Sequence, residues 1–118
     1  MHVLLIDDDI GSLLGMQIAI ESIGYTCDTY SDPLKVVQDC LEKELIKKYD
    51  AIITDFSMPT IDGIRLARLI RCLEPRLKIV IVSGFANEET VQAISENGFG
   101  TLLYKPVCAA KLAQTLQN

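Results

Sequence analysis

The chain has 118 residues, 49% hydrophobic and 23% charged, with a net charge of −5. That is enough to bury a core unaided and is the composition of a folded globular domain, while the negative charge argues against nucleic acid as a direct partner, because phosphate backbones reward Lys and Arg. No apolar run approaches the roughly 20 residues that span a bilayer, and the start lacks the basic segment and long apolar stretch of a leader, so no membrane association and a cytoplasmic location are expected.

Val3-Leu4-Leu5-Ile6 is a short apolar run, read as a buried strand, and it ends in Asp7-Asp8-Asp9. Leu13, Leu14, Met16, Ile20 and Ile23 then recur at helical spacing and stop at Gly24, a suitable residue just past a helix end. Thr26 to Tyr30 reads as a more polar strand, hence one nearer a sheet edge. Asp32-Pro33 opens a helix with a capping aspartate and proline at the first position, and Leu34, Val37, Leu41 and Leu45 are its expected inner face. Ala51-Ile52-Ile53-Thr54 runs into Asp55. Met58-Pro59 and Asp62-Gly63 mark a loop, and a helix from about Ile64 to Leu73 follows, ended by Pro75. Its Arg65, Arg68 and Arg71 read as a solvated stripe. Ile79-Val80-Ile81-Val82 runs into Ser83-Gly84. Asn87 is the expected cap of a helix that carries Glu88 and Glu89 on its positive end and stops near Asn97-Gly98. Leu102-Leu103-Tyr104 runs into Lys105-Pro106, and a last helix from Ala109 to about Leu116 is short, as if cut from a longer parent. Cys27, Cys40, Cys72 and Cys108 are far apart, without a C-x-x-C pair, and read as buried free thiols. His2 has no ligand-spaced partner and is assigned no role.

Strands alternating with helices at this spacing predict right-handed crossovers and a doubly wound α/β sheet. In such a sheet the ligand crevice lies at the carboxyl ends of the strands, where the polar residues that end the four apolar runs fall. Carboxylates gathered there with one ammonium and one hydroxyl make a site for a hard cation and a phosphoryl group. An aspartate can attack phosphorus and form an acyl phosphate, which makes Asp55 the candidate nucleophile. Asp7 and Asp8 beside it repel one another and Asp55, and a divalent cation relieves that repulsion. Lys105 supplies a point charge suited to a phosphoryl oxygen.

The stretch Ile53-Thr54-Asp55-Phe56-Ser57-Met58-Pro59-Thr60-Ile61-Asp62-Gly63, with Asp7-Asp8, Ser83 and Lys105-Pro106, resembles the receiver domain of two-component response regulators, over essentially all 118 residues. The resemblance implies one receiver domain over 1–118 with a flavodoxin-like five-stranded parallel sheet, order 2-1-3-4-5, and helices on both faces. It implies that Asp55 takes a phosphoryl group from a phosphohistidine on a histidine kinase or histidine phosphotransfer domain, with Mg²⁺ or Mn²⁺ bound. Asp8 and Asp55 would bind the ion directly, Asp7 through water, and the backbone carbonyl of Ser57 would complete the protein ligands. Ser83 would bond the phosphoryl group, and Lys105 would pair with Asp55 beforehand and with the phosphoryl group afterwards. Lys105-Pro106 would be cis, and Asp9 would face the loop or cap the first helix. The chain is then a signalling module that catalyses its own phosphorylation and dephosphorylation. It is either a single-domain regulator or part of a larger protein such as a hybrid histidine kinase.

Three features depart from the family. Leu102 stands where receivers carry Tyr or Phe three residues before the lysine, which implies a weakened ring-driven switch. Asp32 and Asp55 are 23 positions apart, several more than the family usually needs. Ser57 and Phe85 occupy the positions that in receivers steer the hydrolytic water, and neither offers a carboxylate or amide, which implies a long-lived phosphoryl group. Two alternatives stand beside this reading. One is a receiver-fold scaffold that is never phosphorylated. The other is a haloacid-dehalogenase-like phosphatase with Asp7 as nucleophile, Asp7-Asp8-Asp9 as its D-x-D start, and Ser83 and Lys105 in its later motifs. The phosphatase needs an acidic motif after the lysine, yet no aspartate lies beyond Asp62.

Overall fold

The apolar runs form five strands, β1 (His2–Ile6), β2 (Thr26–Tyr30), β3 (Ala51–Asp55), β4 (Lys78–Ser83) and β5 (Leu102–Tyr104). The computed structural model describes residues 1–84, 88–96 and 101–117. All five strands are parallel, in the order β2-β1-β3-β4-β5, as the resemblance implies. Leu5 of β1 lies beside Thr29 and Ile53, Ile53 beside Val80, and Ile81 beside Leu102. This register brings Asp7, Asp55 and Ser83 to one edge of the sheet, each at the end of its strand.

Alternate residues of a strand face opposite sides. Leu4, Ile6, Ile52, Ile79 and Ile81 therefore pack beneath α2 (Pro33–Lys43), α3 (Gly63–Leu73) and α4 (Glu88–Glu96). Val3, Leu5, Ile53, Val80 and Val82 pack beneath α1 (Ile10–Ser22) and α5 (Ala109–Gln117). With helices on both faces, β1, β3 and β4 have no solvated side, which is why their sequences are nearly continuous runs of Val, Ile and Leu. The edge strand β2 is more polar, as expected.

Local chemistry sets the helix starts. Asp9, Asp32 and Asp62 each accept a hydrogen bond from a backbone N–H of the first turn, those of Gly11, Leu34 and Arg65 respectively, satisfying donors with no partner inside the helix. The capping alternative for Asp9 is thus the one the structure adopts. The predicted cap Asn87 and the predicted stop at Asn97-Gly98 lie outside the described residues.

Several expectations are corrected. The inner face of α2 is Val36 and Cys40, with Pro33 and Asp39 also buried and Val37 partly buried against the same core as expected, whereas Leu34 and Leu41 are 50% and 64% exposed. The two stripes are offset by one or two residues around the helix, and docking on β2 and α3 selects the one with smaller side chains. Leu45 is buried, but on a separate 3₁₀ helix, Leu45–Lys48, reached through Glu44 at φ 52. That short helix absorbs the extra length between Asp32 and Asp55. Leu14 points outward. Arg71 is no solvated side chain, because its Nη1 donates to the carbonyls of Pro75 and Leu77, both at 2.8 Å, tying α3 to the connection that precedes β4. The cysteines are free, but only Cys40 is buried, and Cys72 and Cys108 are exposed. Burial pushes the Cys40 thiol up to about 11, with the Asp39 charge adding to the effect. His2 bonds Thr26 Oγ1 at 2.7 Å and Asp28 Oδ2 at 3.2 Å and stacks on Tyr49 at 4.9 Å, at the end of the sheet away from Asp7, Asp8 and Asp55. Tyr49 donates to Asp28 as well, at 2.7 Å, and this bond leads in holding the Asp28 carboxyl below its usual range.

Candidate functional site

β1 delivers Asp7 and Asp8. The ladder continues one residue past the strand, with the Asp7 N–H donating to the Tyr30 carbonyl at 3.1 Å, and this anchors a fully buried Asp7 side chain. Its Oδ1 accepts the N–H of Asp9 at 2.9 Å. Asp8, next in the chain, is exposed. β3 delivers Asp55 as its last residue, also buried. The strand end is clamped on both sides: Phe56 N–H donates to Val82, and Gly63 N–H donates to Phe56, each at 2.8 Å. Gly63 is glycine because a Cβ there would overlap the carbonyl oxygen of Asp55 and touch Phe56 Cα at 3.0 Å. β4 ends in the buried Ser83, whose carbonyl accepts the Lys105 N–H at 2.9 Å. The Lys105-Pro106 bond is cis.

The half-buried Lys105 closes the site from the β5 side. Its Nζ lies 2.8 Å from Asp7 Oδ2, 3.1 Å from Asp55 Oδ1 and 3.4 Å from Ser12 Oγ. The expected pairing with Asp55 is present, and a shorter one with Asp7 accompanies it. Burial raises the proton affinity of Asp55 most. The bond from Lys105 opposes that rise, and the charges of Asp7 and Asp8 add to it, leaving the carboxyl above its ordinary value. Burial alone would lower the Lys105 ammonium, but its bonds to Asp7 and Asp55 outweigh burial and hold it above its ordinary value. Both directions follow from one fact. The ammonium has two carboxylates to itself, whereas Asp55 has only a share of one ammonium.

Asp7, Asp8 and Asp55 each offer a carboxylate oxygen, all within 4.8 Å of one another, and among the described residues they are the one such acidic cluster. An all-oxygen donor set of this charge suits a hard divalent cation. Ser57 lies exposed on the connection to α3, and Phe85 falls outside the described residues. Leu102 is half-buried against the core beneath α2, α3 and α4.

Sequence reasoning missed three things here. Ser12 touches Lys105, and its only signal was a place three residues after the capping Asp9. Gly63 was read as a turn marker, not as the point where α3 meets the strand. The third is the outer face of α1, where Ile10, Leu14 and Ile18 are 64%, 54% and 60% exposed at four-residue spacing. Beside it runs a cleft of about 500 Å³, lined by Gly11, Gly15, Met16, Pro106 and Val107 and ending at Lys105.

The profile of the family described as response regulator receiver domain matches residues 3–117. The chain belongs to the response regulator receiver family. It is 34% identical to the sensor histidine kinase RcsC of Salmonella typhi over 116 residues, covering 98% of this chain and 12% of that protein. It is 29% identical to the sensor kinase CckA of Brucella abortus, again covering 98% of this chain and 12% of that protein. The chain thus spans about an eighth of the length of these relatives. A response regulator receiver domain from Clostridium thermocellum superposes with a TM-score of 0.85 at 27% identity, covering 99% of this chain and 91% of that one. The receiver's place is in two-component signalling. No helix among the described residues is long and apolar enough to cross a membrane.

Proposed function

We propose that this receiver accepts a phosphoryl group on Asp55 from a phosphohistidine of a histidine kinase or histidine phosphotransfer domain. The observation that carries the reading is the buried Asp55 carboxylate, set within reach of Asp7, Asp8 and the Lys105 ammonium. An Asp55 oxygen attacks phosphorus, the P–N bond to the imidazole breaks, and the freed ring nitrogen takes a proton from water. Lys105 leaves the carboxylates and follows the negative charge onto a phosphoryl oxygen, and the Ser83 hydroxyl donates to another. Mg²⁺ or Mn²⁺ would be held by Asp8 and Asp55 directly, by Asp7 through water and by the Ser57 carbonyl. When bound, it neutralises the crowded negative charge. Dephosphorylation by water is the same site's second reaction, and Leu102 in place of an aromatic ring favours relaying the group over a large shape change. Residues 1–118 act as one receiver unit in the cytoplasm, alone or within a larger kinase. The phosphatase reading is not carried forward, because the receiver family matches residues 3–117 and the phosphatase would leave the Asp55 segment without a role.

Incubation with acetyl phosphate and Mg²⁺ should add one phosphoryl group by intact mass, and EDTA or Asp55→Asn should abolish it. A mass gain that survives Asp55→Asn would move the nucleophile to Asp7 or Asp8. No gain in the wild type would favour the unphosphorylated scaffold.

The exposed face of α1 supports a docking site for the donor, since it adjoins Lys105. Burying a leucine or isoleucine contributes about 1.5–3 kcal/mol. Leu14→Asp with Ile18→Asp should therefore slow transfer from a phosphorylated histidine phosphotransfer domain by about tenfold or more, yet leave labelling by acetyl phosphate unchanged. Equal transfer rates would place the donor on another face.

A further inference from the structure

We infer that Ser12 is a positioning residue for Lys105, holding its ammonium over the phosphoacceptor while its carboxylate partners change. The inference rests on the phosphoacceptor reading of Asp55. An ammonium has three N–H donors, and here three acceptors surround it: Asp7 Oδ2 at 2.8 Å, Asp55 Oδ1 at 3.1 Å and Ser12 Oγ at 3.4 Å. Two of these are altered by the proposed chemistry. Asp55 becomes the phosphorylated group, and Asp7 would be shared with a bound cation. Ser12 takes no part in either change, so it is the acceptor that persists.

The Ser12 hydroxyl is itself oriented. It donates to Asp9 Oδ2 at 3.2 Å, and Asp9 Oδ1 in turn accepts the Gly11 N–H at 3.1 Å as the cap of α1. With its proton directed at Asp9, the oxygen presents lone pairs towards Lys105. The first turn of α1 is closed by Leu13 N–H donating to the Asp9 carbonyl at 3.0 Å, so the hydroxyl rides on a formed helix. The alternative place for the ammonium is the open cleft beside Gly11, Gly15 and Pro106, which Ser12 lines together with Lys105. A long, strongly hydrated side chain would drift there, and Ser12 sits on that side of it. The competing role is purely local: a serine in a first turn, bonded to the cap and indifferent to Lys105.

The two roles separate in a double-mutant cycle, which isolates the coupling between neighbours. Ser12→Ala should slow phosphorylation of Asp55 by acetyl phosphate about three- to tenfold, the loss expected for one intramolecular hydrogen bond of ordinary net strength. The Mg²⁺ concentration giving half the maximal rate should not move, and Ser12→Thr, which keeps the hydroxyl, should restore the rate. In a Lys105→Met background, Ser12→Ala should have no further effect. Without any donor, the Lys105 ammonium protons should exchange with water faster in Ser12→Ala than in the wild type by ¹⁵N-detected NMR. An unaltered exchange rate, or a slowing of equal size with Lys105→Met, overturns the inference. If the wild type takes no phosphoryl group, the reading of Asp55 fails, and the ammonium exchange still decides the role of Ser12.

Discussion

In EDTA, Asp55→Asn should be more stable than the wild type, by about 1–3 kcal/mol, within the usual range of single-substitution effects. Three carboxylates crowd the site, and its one ammonium pairs with the two buried ones, Asp7 and Asp55. Removing the charge of Asp55 relieves repulsion with Asp7 and Asp8 and leaves Lys105 its closer partner. The pH dependence has a definite sign. The Asp55 carboxyl is held above its ordinary value, chiefly by burial, so the native state binds this proton more tightly than the unfolded chain. The stabilisation that proton brings is complete below the unfolded value and lost as pH rises through the folded one. The advantage of the asparagine variant should therefore grow as pH is raised from acid to neutral. A divalent cation should reverse the order. At a hundred times its dissociation constant a ligand adds about 2.7 kcal/mol to a protein that binds it only when folded, and the asparagine variant, lacking a ligand carboxylate, should gain far less. Urea melts of both proteins in EDTA and in Mg²⁺ measure all of this. An asparagine variant less stable than the wild type in EDTA would show that Asp55 is well compensated without the ion.

Gly63→Ala should destabilise the fold by about 3 kcal/mol, at the upper end of overpacking effects, and slow phosphorylation with it. The added methyl would meet the backbone carbonyl of Asp55 and the backbone of Phe56, with no flexible side chain able to yield. Either α3 moves off, breaking the 2.8 Å bond from Gly63 to Phe56, or the end of β3 moves and carries the phosphoacceptor with it. Gly15→Ala is the control. A Cβ at Gly15 meets nothing within 4 Å, and replacing a glycine inside a helix with alanine stabilises by about 0.5–1 kcal/mol. Denaturation midpoints of the two variants should move in opposite directions. A Gly63→Ala protein as stable as the wild type would mean that the helix start can shift without disturbing the strand.

The gap between these two glycines shows where local reading stops. The sequence puts Gly15 inside a helix and Gly63 in a turn, but it does not show that Gly63 is pressed against a strand end while a Cβ at Gly15 would meet nothing within 4 Å. What the sequence by itself determined is whatever depends on short-range chemistry. Continuous Val, Ile and Leu runs specify strands buried on both faces, and a polar residue ending each run specifies the crevice where Asp7, Asp8, Asp55, Ser83 and Lys105 meet. Asp32 caps its helix through a bond to a neighbour two residues away, so that start was legible; the cap by Asp9 was legible as one of two alternatives, and Asp62 only as part of a loop. Tertiary structure alone decided the rotation of α2, because the stripe through Leu34 and Leu41 is as apolar as the one through Val36 and Cys40 and only the surface beneath can choose. It decided that Lys105 pairs with Asp7, 98 positions away, as well as with Asp55, and that His2 joins Thr26, Asp28 and Tyr49. It also decided that Ser12 reaches Lys105 and that Ile10, Leu14 and Ile18 stay outside. Each of these depends on which distant groups share a few cubic ångströms, a property of the packed sheet and helices that no window along the chain contains.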